Sequence, residues 1–590
     1  MAGLEYVGYF PQWSMYDRKF FLKDLDTNGT AKKLTILNYA FANISSNNKR
    51  HPGYKCFAAT APYAKRDPEA DGSIDVGDAD ADWLWPFKAE DSVDGVADPG
   101  WGDDKHLKGN FNQLKKLRAK HPHLKVLVSI GGWTYSRNFS EAAKTQKRRE
   151  EFVKSFIDFY IRGNLPTEIW TDTKNYPAQF RKVYGGAGLA AGIFDGFDID
   201  WEWPASNAGL PGNGFSPEDR KNLPLLLKEF RKQLDVLDLP QKPRGGKYLL
   251  TAFLPADPEV LKVGWDVPEI MKFLDHGNLQ GYDLHGPFDC PSNCVTNHQS
   301  ALHLIADDPS TKKLSVETAV KAWLDARAPR QKIVLGVPFY SRGWEGVQSS
   351  AKNGLFQKAT GPVSKANGAK YEAGVNDYRS LAPLAQQGYT VHRDDANGVA
   401  WLFNPEKKIF WTFDDPMAAY QKAKYAKELG LAGAMAYSLD GDDKSTGILS
   451  QHIRAALNGE KPPTKQPPAK NACTAPEWKA EYIYSKPSIV TYAGKMWQGQ
   501  YWTQKTPPGS KDSGGGTPWR ELRTCQLPIH LEANGAQPWK SGVAYACGTM
   551  VTHNGELFTA AYDVKATQNI APGTDPNTWQ PHGRYEKAGI

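Results

Sequence analysis

Along roughly the first 450 residues, short apolar runs alternate with stretches whose apolar positions recur every three or four residues. The runs Tyr6–Phe10, Leu34–Phe41, Lys125–Ile130, Ile193–Asp200, Tyr248–Leu254, Asn278–Tyr282, Ile333–Phe339 and Ala434–Leu439 have the length and bulk of buried strands. Between them, Phe152, Val153, Phe156, Ile157, Tyr160 and Ile161 share one helical face, as do Leu223, Leu226, Leu227, Phe230 and Leu234. Ser216-Pro217 reads as the opening of that second helix, and Pro224 as a kink or a delay in it. Eight strand–helix alternations predict an α/β fold, a (β/α)8 TIM barrel. A doubly wound open sheet is the competing arrangement, but no glycine-rich phosphate loop follows the first strand. The gap between Phe339 and Ala434 exceeds one crossover and predicts an inserted subdomain at about 345–410.

The periodic region gives way to Gly459–Lys470, a Pro/Lys-rich segment expected to be a stiff, extended spacer. The domain boundaries that follow are 1–456 for the barrel, 457–471 for the linker, then 472–526 and 527–590. The last two stretches repeat weakly. Val490-x-x-x-Gly494-x-x-Trp497-x-x-x-Tyr501 aligns with Val551-x-x-x-Gly555-x-x-Phe558-x-x-x-Tyr562. Each is followed by Pro-Gly and a Trp, at Pro508, Gly509 and Trp519 and at Pro572, Gly573 and Trp579. They predict two small all-β modules in tandem. In the first, Tyr501-Trp502 is an adjacent aromatic pair. Neighbours in a regular strand face opposite ways, so joint use of both rings requires a twist or bulge. The second module has Tyr562-Asp563 at that place.

Composition narrows the function. The 590 residues include 19 Trp, 26 Tyr and 25 Phe, and flat apolar rings suit sugars or nucleic-acid bases. The net charge of +7 is spread without a basic block, which disfavours a nucleic-acid partner. No apolar run reaches the ~18 residues of a spanning helix, so no membrane segment is expected. Six cysteines are too few for a disulfide scaffold. Cys290 and Cys294 sit in Cys-Pro-Ser-Asn-Cys, Cys473 and Cys525 bracket an aromatic-rich stretch, and no His stands at zinc spacing. Structural disulfides and an oxidising compartment are therefore the preferred reading, while Cys56 and Cys547 have no evident partner. Met1-Ala2 runs straight into a strand pattern, so the chain is either intracellular or secreted with its signal removed; the cysteines favour removal. A monomer without metal or cofactor is expected.

The chemistry concentrates in Asp195-Gly-Phe-Asp198-Ile-Asp200-Trp-Glu202. In a strand, Asp198, Asp200 and Glu202 share one face and Phe197, Ile199 and Trp201 the other. In a parallel barrel the apolar face meets the helices, leaving three carboxylates inside and Glu202 at the C-terminal mouth. Crowded, partly buried carboxylates titrate as a set and keep at least one proton to higher pH. An exposed edge strand with solvated acids is disfavoured by the bulky apolar face opposite. A calcium or magnesium site is disfavoured because one strand surrounds an ion poorly.

This segment closely resembles the signature of the family 18 glycoside hydrolases, the chitinases, with Asp-x-x-Asp-x-Asp-x-Glu complete at 195, 198, 200 and 202. Ser129-Ile-Gly131-Gly132-Trp133, Gly281-Tyr282-Asp283 and Gly336-Val-Pro-Phe-Tyr340-Ser-Arg342 match further family motifs in order and spacing over nearly all of 4–455. The resemblance implies an α+β insertion after the seventh strand and hydrolysis of β-1,4 bonds between N-acetylglucosamine units. The substrate's own acetamido oxygen would be the nucleophile. It implies Glu202 as acid and base, Asp200 holding the acetamido N–H, and Asp198 sharing a proton with Asp200. Tyr282 would donate to the acetamido oxygen. Asp283, Tyr340 and Arg342 would line sugar subsites, with Trp133 stacking on the leaving-group side and Tyr9 and Phe41 as further substrate-binding candidates. Two positions depart from the pattern: Gln280 stands where the family usually has Met, and Tyr437 replaces the Trp floor under the distorted sugar. The C-terminal repeats resemble chitin-binding modules of carbohydrate-binding families 5 and 12, which implies Tyr501 and Trp502 as a platform for the chitin surface. The partners implied are chitin and N-acetylglucosamine oligomers. The alternatives are a chitin-binding lectin on the same barrel, disfavoured by the retained Glu202, and an enzyme acting on N-linked glycans.

Overall fold

The structure is a computed structural model. It describes residues 3–48, 52–57, 77–100, 103, 105–169, 182–183, 185–290 and 292–463, and within 478–584 the strands and turns named below. The chain separates into two compact units, Met1–Lys465 and Gln466–Ile590. Cys473, Cys525, Cys547 and the pair Tyr562-Asp563 lie outside the described residues.

The first unit is a closed barrel of eight parallel strands: β1 (Glu5–Pro11), β2 (Ile36–Ile44), β3 (Lys125–Gly131), β4 (Gly196–Asp200), β5 (Leu249–Leu254), β6 (His276–Leu279), β7 (Ile333–Pro338) and β8 (Gly433–Tyr437). Each pairs with its sequence neighbours, and β1 closes the ring on β8 through Glu5↔Gly433 and Gly8↔Ala436. The strands are apolar almost throughout because one face meets the helices and the other fills the barrel. Helices Gly109–Lys120, Gln146–Phe156, Asp219–Asp235, Val316–Asp325, Pro416–Glu428 and Ile448–Asn458 lie between or after them. Thr145, Ser315 and Asp415 cap three of these helices by accepting backbone N–H groups of the first turn.

The sequence-based strands are all present, with shifted ends. The fourth begins at Gly196 rather than Ile193. Just before it, Asp195 is tied to Arg118 Nη2 at 2.8 Å and to the Arg244 N–H at 2.8 Å, anchoring the strand's entry. The sixth stops at Leu279 because the chain turns there, with Asp283 at φ 56°. The helix expected from Ser216-Pro217 starts at Asp219, whose carboxylate accepts the Ser216 N–H at 2.7 Å. Pro224 lies inside its second turn.

The insertion is an antiparallel sheet that starts directly after β7. Tyr340–Glu345 pairs with Ile409–Phe413, which continues through Val399–Asn404 to Thr390–Asp394. Trp344, Trp401, Phe403 and Phe410 form its core, beside the Cys290–Cys294 disulfide. Cys56 is half-buried and in no disulfide.

Among its described residues the second unit holds three small, mainly antiparallel sheets. Ile489–Tyr492, Lys495–Gly499 and Trp519–Thr524 make the first, with Ile483–Tyr484 pairing Thr503–Gln504 beside it. Met550–His553, Glu556–Ala560 and Trp579–Arg584 make the core of the third, with Gln537–Pro538 on its edge. The repetition is structural. Val490 faces Trp497 as Val551 faces Phe558, and the register slips at Met496/Trp497 as at Leu557/Phe558. The Tyr484 hydroxyl accepts the Lys479 N–H at 2.7 Å, and Tyr545 accepts the Lys540 N–H at 2.6 Å.

Candidate active site

The period-two alternation on β4 separates two environments. Phe197 packs on Phe230 at 5.4 Å and Trp201 stacks on Phe139 at 5.1 Å, both on the helix side. Asp198 and Asp200 are buried inside the barrel, and Glu202 stands half-buried just past the strand at the mouth.

Asp198 is held from four other strands. Tyr9 donates its O–H to Oδ2 at 2.7 Å and Ser129 donates to the same oxygen at 2.9 Å. Thr251 donates to Oδ1, as does Asn278 Nδ2 at 3.1 Å. With two donors on each oxygen, the hydrogen-bonding capacity of this carboxyl is taken up by neighbouring strands.

Asp200 has no such set. Its Oδ1 has no hydrogen-bond partner, and its carboxyl instead hydrogen-bonds Glu202. Burial, then the charges of Glu202 and Asp198, push Asp200 well above the usual carboxylate range. Burial, with Asp283 adding, pushes Glu202 up to about 8. A proton therefore resides on the Asp200–Glu202 pair at neutral pH.

The backbone beneath this pair is fixed by Ser136, whose Oγ accepts the Glu202 N–H at 2.9 Å and lies 3.0 Å from the Asp200 carbonyl. The Gly131-Gly132 pair has a physical reason here. A Cβ on Gly131 would fall on the Asp200 carbonyl oxygen, and one on Gly132 would press the Phe41 ring at 3.0 Å; both take positive φ, 107° and 76°.

Around the carboxylates the rings form a basket. Tyr437 lies 5.6 Å from Tyr9, 6.5 Å from Phe41, 5.9 Å from Tyr282 and 6.2 Å from Tyr340. Tyr282 is buried, and its hydroxyl makes a long contact of 3.9 Å to Met435 Sδ, a weak acceptor. Asp283 is clamped by Tyr340 O–H and Arg342 Nε–H, each at 2.7 Å. Tyr340 and Arg342 belong to the first strand of the insertion, so that subdomain supplies one wall. Gln280 turns its Oε1 to the Ala256 N–H at 3.3 Å. Trp133 stands 43% exposed on the mouth, and Asn213 Nδ2 reaches both its carbonyl and that of Glu202.

Sequence reasoning missed Thr251 and Asn278; for Thr251 the signal was present, a lone polar residue in the apolar run Leu249–Leu254, whereas Asn278 stands between His276 and Gln280 and is not set apart. It also missed Trp13, 6.1 Å from Phe41, and Phe288, 54% exposed under the Arg342 guanidinium at 5.4 Å. Those two sit in single 3-10 turns, Gln12–Met15 and Pro287–Asp289, too short for any periodicity to mark them.

A barrel with an acid at the mouth of its fourth strand and carboxylates beneath defines a class of glycosidase, and the comparisons give the family. Residues 5–442 match the family model described as "Glycosyl hydrolases family 18", and the chain belongs to that family. It is 34% identical over 469 residues, 78% of this chain, to chitinase A1 of Niallia circulans. It is 31% identical over 438 residues, 74% of this chain, to chitinase C of Streptomyces lividans. The matched regions span 59% and 57% of those two relatives' lengths. Among solved structures, the catalytic domain of the psychrophilic chitinase B from Arthrobacter TAD20 is 41% identical. It superposes with a TM-score of 0.65 over 78% of this chain and 98% of that one. Among the described residues no helix is long and apolar enough to cross a membrane.

Proposed function

We propose that this chain is a secreted chitinase that cleaves β-1,4 bonds between N-acetylglucosamine units with retention, using the substrate's acetamido group as nucleophile. The observation that carries the reading is the hydrogen-bonded Asp200–Glu202 pair, with Glu202 half-buried at the barrel mouth above Asp198 and its four donors. Glu202 is the only carboxyl of the three that reaches the cleft, so it delivers the proton to the glycosidic oxygen. As that bond breaks, the acetamido carbonyl oxygen bonds to C1 and an oxazolinium forms. Asp200, left with the negative charge, holds the acetamido N–H. Water then attacks C1, giving its proton to the Glu202 carboxylate, and the ring opens with the original configuration.

Asp198, fixed by donors on β1, β3, β5 and β6, holds a rigid base beneath Asp200. Tyr282 is poised to donate to the acetamido oxygen, because its present contact is weak. Tyr437, backed by four rings, offers a floor for the sugar, and Asp283 with Tyr340 and Arg342 offers a polar wall. The small sheets at the C-terminus act as chitin-binding modules, the first through Tyr501 and Trp502. Both rings are exposed, at 41% and 62%, because the chain leaves its strand at Gly499 and strand alternation no longer separates them. The Cys290–Cys294 disulfide supports an oxidising compartment.

Product analysis by mass spectrometry on colloidal chitin, beside a high-mannose glycoprotein, tests this reading. N-acetylglucosamine oligomers from chitin alone are expected. Release of glycans from the glycoprotein, or binding of chitin without products, would overturn it. Fully deacetylated chitosan should remain uncut, since it lacks the nucleophile.

A further inference from the structure

In the first C-terminal module the exposed Tyr501 is not a loose side chain. Its hydroxyl donates to Asp512 Oδ2 at 2.7 Å. The other oxygen of Asp512 accepts the N–H groups of Gly514 and Gly516, at 3.0 and 2.8 Å. The Asp512 N–H in turn bonds the Gly516 carbonyl at 2.9 Å, closing residues 512–516 into a compact turn. Gly516 packs against the phenol, and a methyl group there would collide with the Tyr501 hydroxyl. The ring face stays open to solvent while its far end is pinned.

We propose that Asp512 and its glycine turn are a positioning device that holds Tyr501 in the orientation needed to lie flat on a sugar surface. This rests on the reading above, that Tyr501 and Trp502 contact chitin. The repeat itself supports the pairing of turn and ring. In the second module, Pro572 reaches Trp579 four residues sooner than Pro508 reaches Trp519, the Gly514-Gly515-Gly516 run is missing, and the aromatic pair is reduced to Tyr562-Asp563. The turn and the pair are lost together. The physical advantage is entropic: a ring fixed before contact loses no rotamer freedom on binding. The ion-like hydrogen bond also lowers the Asp512 carboxyl and raises the Tyr501 phenol, as expected for a donor–carboxylate pair.

The test uses the full chain and a double-mutant cycle, read as the partition constant on crystalline chitin. Asp512→Ala and Gly516→Ala should each weaken binding by about threefold to tenfold, the worth of one immobilised side chain. Asp512→Asn, which keeps an acceptor for the glycine N–H groups, should lose less. In a Tyr501→Phe background, with no hydroxyl to pin or to strike, both alanine changes should lose their effect. Equal losses in both backgrounds would mean the turn acts independently of the ring, and would overturn the proposal. Unchanged hydrolysis of soluble oligomers by the Asp512 and Gly516 variants reports that the barrel is intact. A second measurement does not depend on chitin. Tetranitromethane modification, read on the tryptic peptide Met496–Lys505 with its single tyrosine, should proceed severalfold faster at Tyr501 in Asp512→Ala. An unchanged rate would also overturn the proposal. If Tyr501→Ala with Trp502→Ala leaves chitin binding intact while nitration responds as expected, the binding face is misassigned and the positioning contact stands.

Discussion

Glu202 is distinguished from its two neighbours by geometry rather than by chemistry, since all three are carboxylic acids on one strand face. Its position past the end of β4 gives it access to the cleft, and burial, with the charge of Asp283 adding, carries its proton to about pH 8 against the lowering effect of the Asp200 hydrogen bond. Glu202→Gln should therefore remove at least 10²–10⁴-fold of kcat while oligosaccharide binding persists. Initial rates with isothermal titration of the mutant check both halves. The wild-type kcat/KM should fall on the alkaline side with a midpoint near pH 8. The same shift has a stability consequence. A carboxyl whose folded-state pKa is raised contributes stability below its ordinary value of 4.5 and loses it as the pH climbs to about 8. Calorimetry should find the Glu202→Gln Tm higher than wild type at pH 9 by more than it is at pH 4. Tyr437 makes a second prediction: Tyr437→Ala should lower kcat/KM on every chain length, whereas Tyr437→Trp, which keeps a flat ring among Tyr9, Phe41, Tyr282 and Tyr340, should be tolerated.

The strands matter as carriers of donors. Each of β1, β3, β5 and β6 presents one hydroxyl or amide to Asp198, so the hydrogen bonding of this buried carboxyl is a property of barrel closure rather than of β4. Asn278→Leu removes one of two donors on Oδ1 and leaves a buried carboxyl underpaired. A stability loss of about 1–3 kcal/mol in urea unfolding is expected, together with a lower kcat. The insertion strand Tyr340–Glu345 has a comparable role, since Tyr340 and Arg342 jointly hold Asp283.

Across the whole molecule, the unit that carries the carboxylate site is joined in sequence to a unit with exposed aromatic rings. Deleting residues 460–590 should lower turnover on crystalline chitin and leave soluble oligomers cut as before. The deletion falls just after Gly459, which ends helix Ile448–Asn458 in a left-handed cap at φ 80°. Reducing-sugar release on the two substrates measures the contrast; equal losses on both would place the unit's role in the cleft.

Local periodicity was enough to make eight strands legible, and with them the row Asp198, Asp200 and Glu202 backed by Phe197, Ile199 and Trp201. Alternation in a strand is a property of a few consecutive residues, so it survives in any sequence window. The module repeat was legible for the same reason, through Val490 and Val551. What tertiary structure decided is everything that spans strands. Nothing along the chain links Thr251 or Asn278 to Asp198 until closure and register bring them together. The direction of the Asp200 side chain was also set by tertiary structure: its carboxyl hydrogen-bonds Glu202, while Asp198 is held by four donors from other strands. The joint exposure of Tyr501 and Trp502 came from the end of a strand at Gly499 and a turn at Asp512 eleven residues beyond Tyr501. Contacts of that kind are set by how separate segments meet, and composition or spacing along one segment carries no record of the meeting.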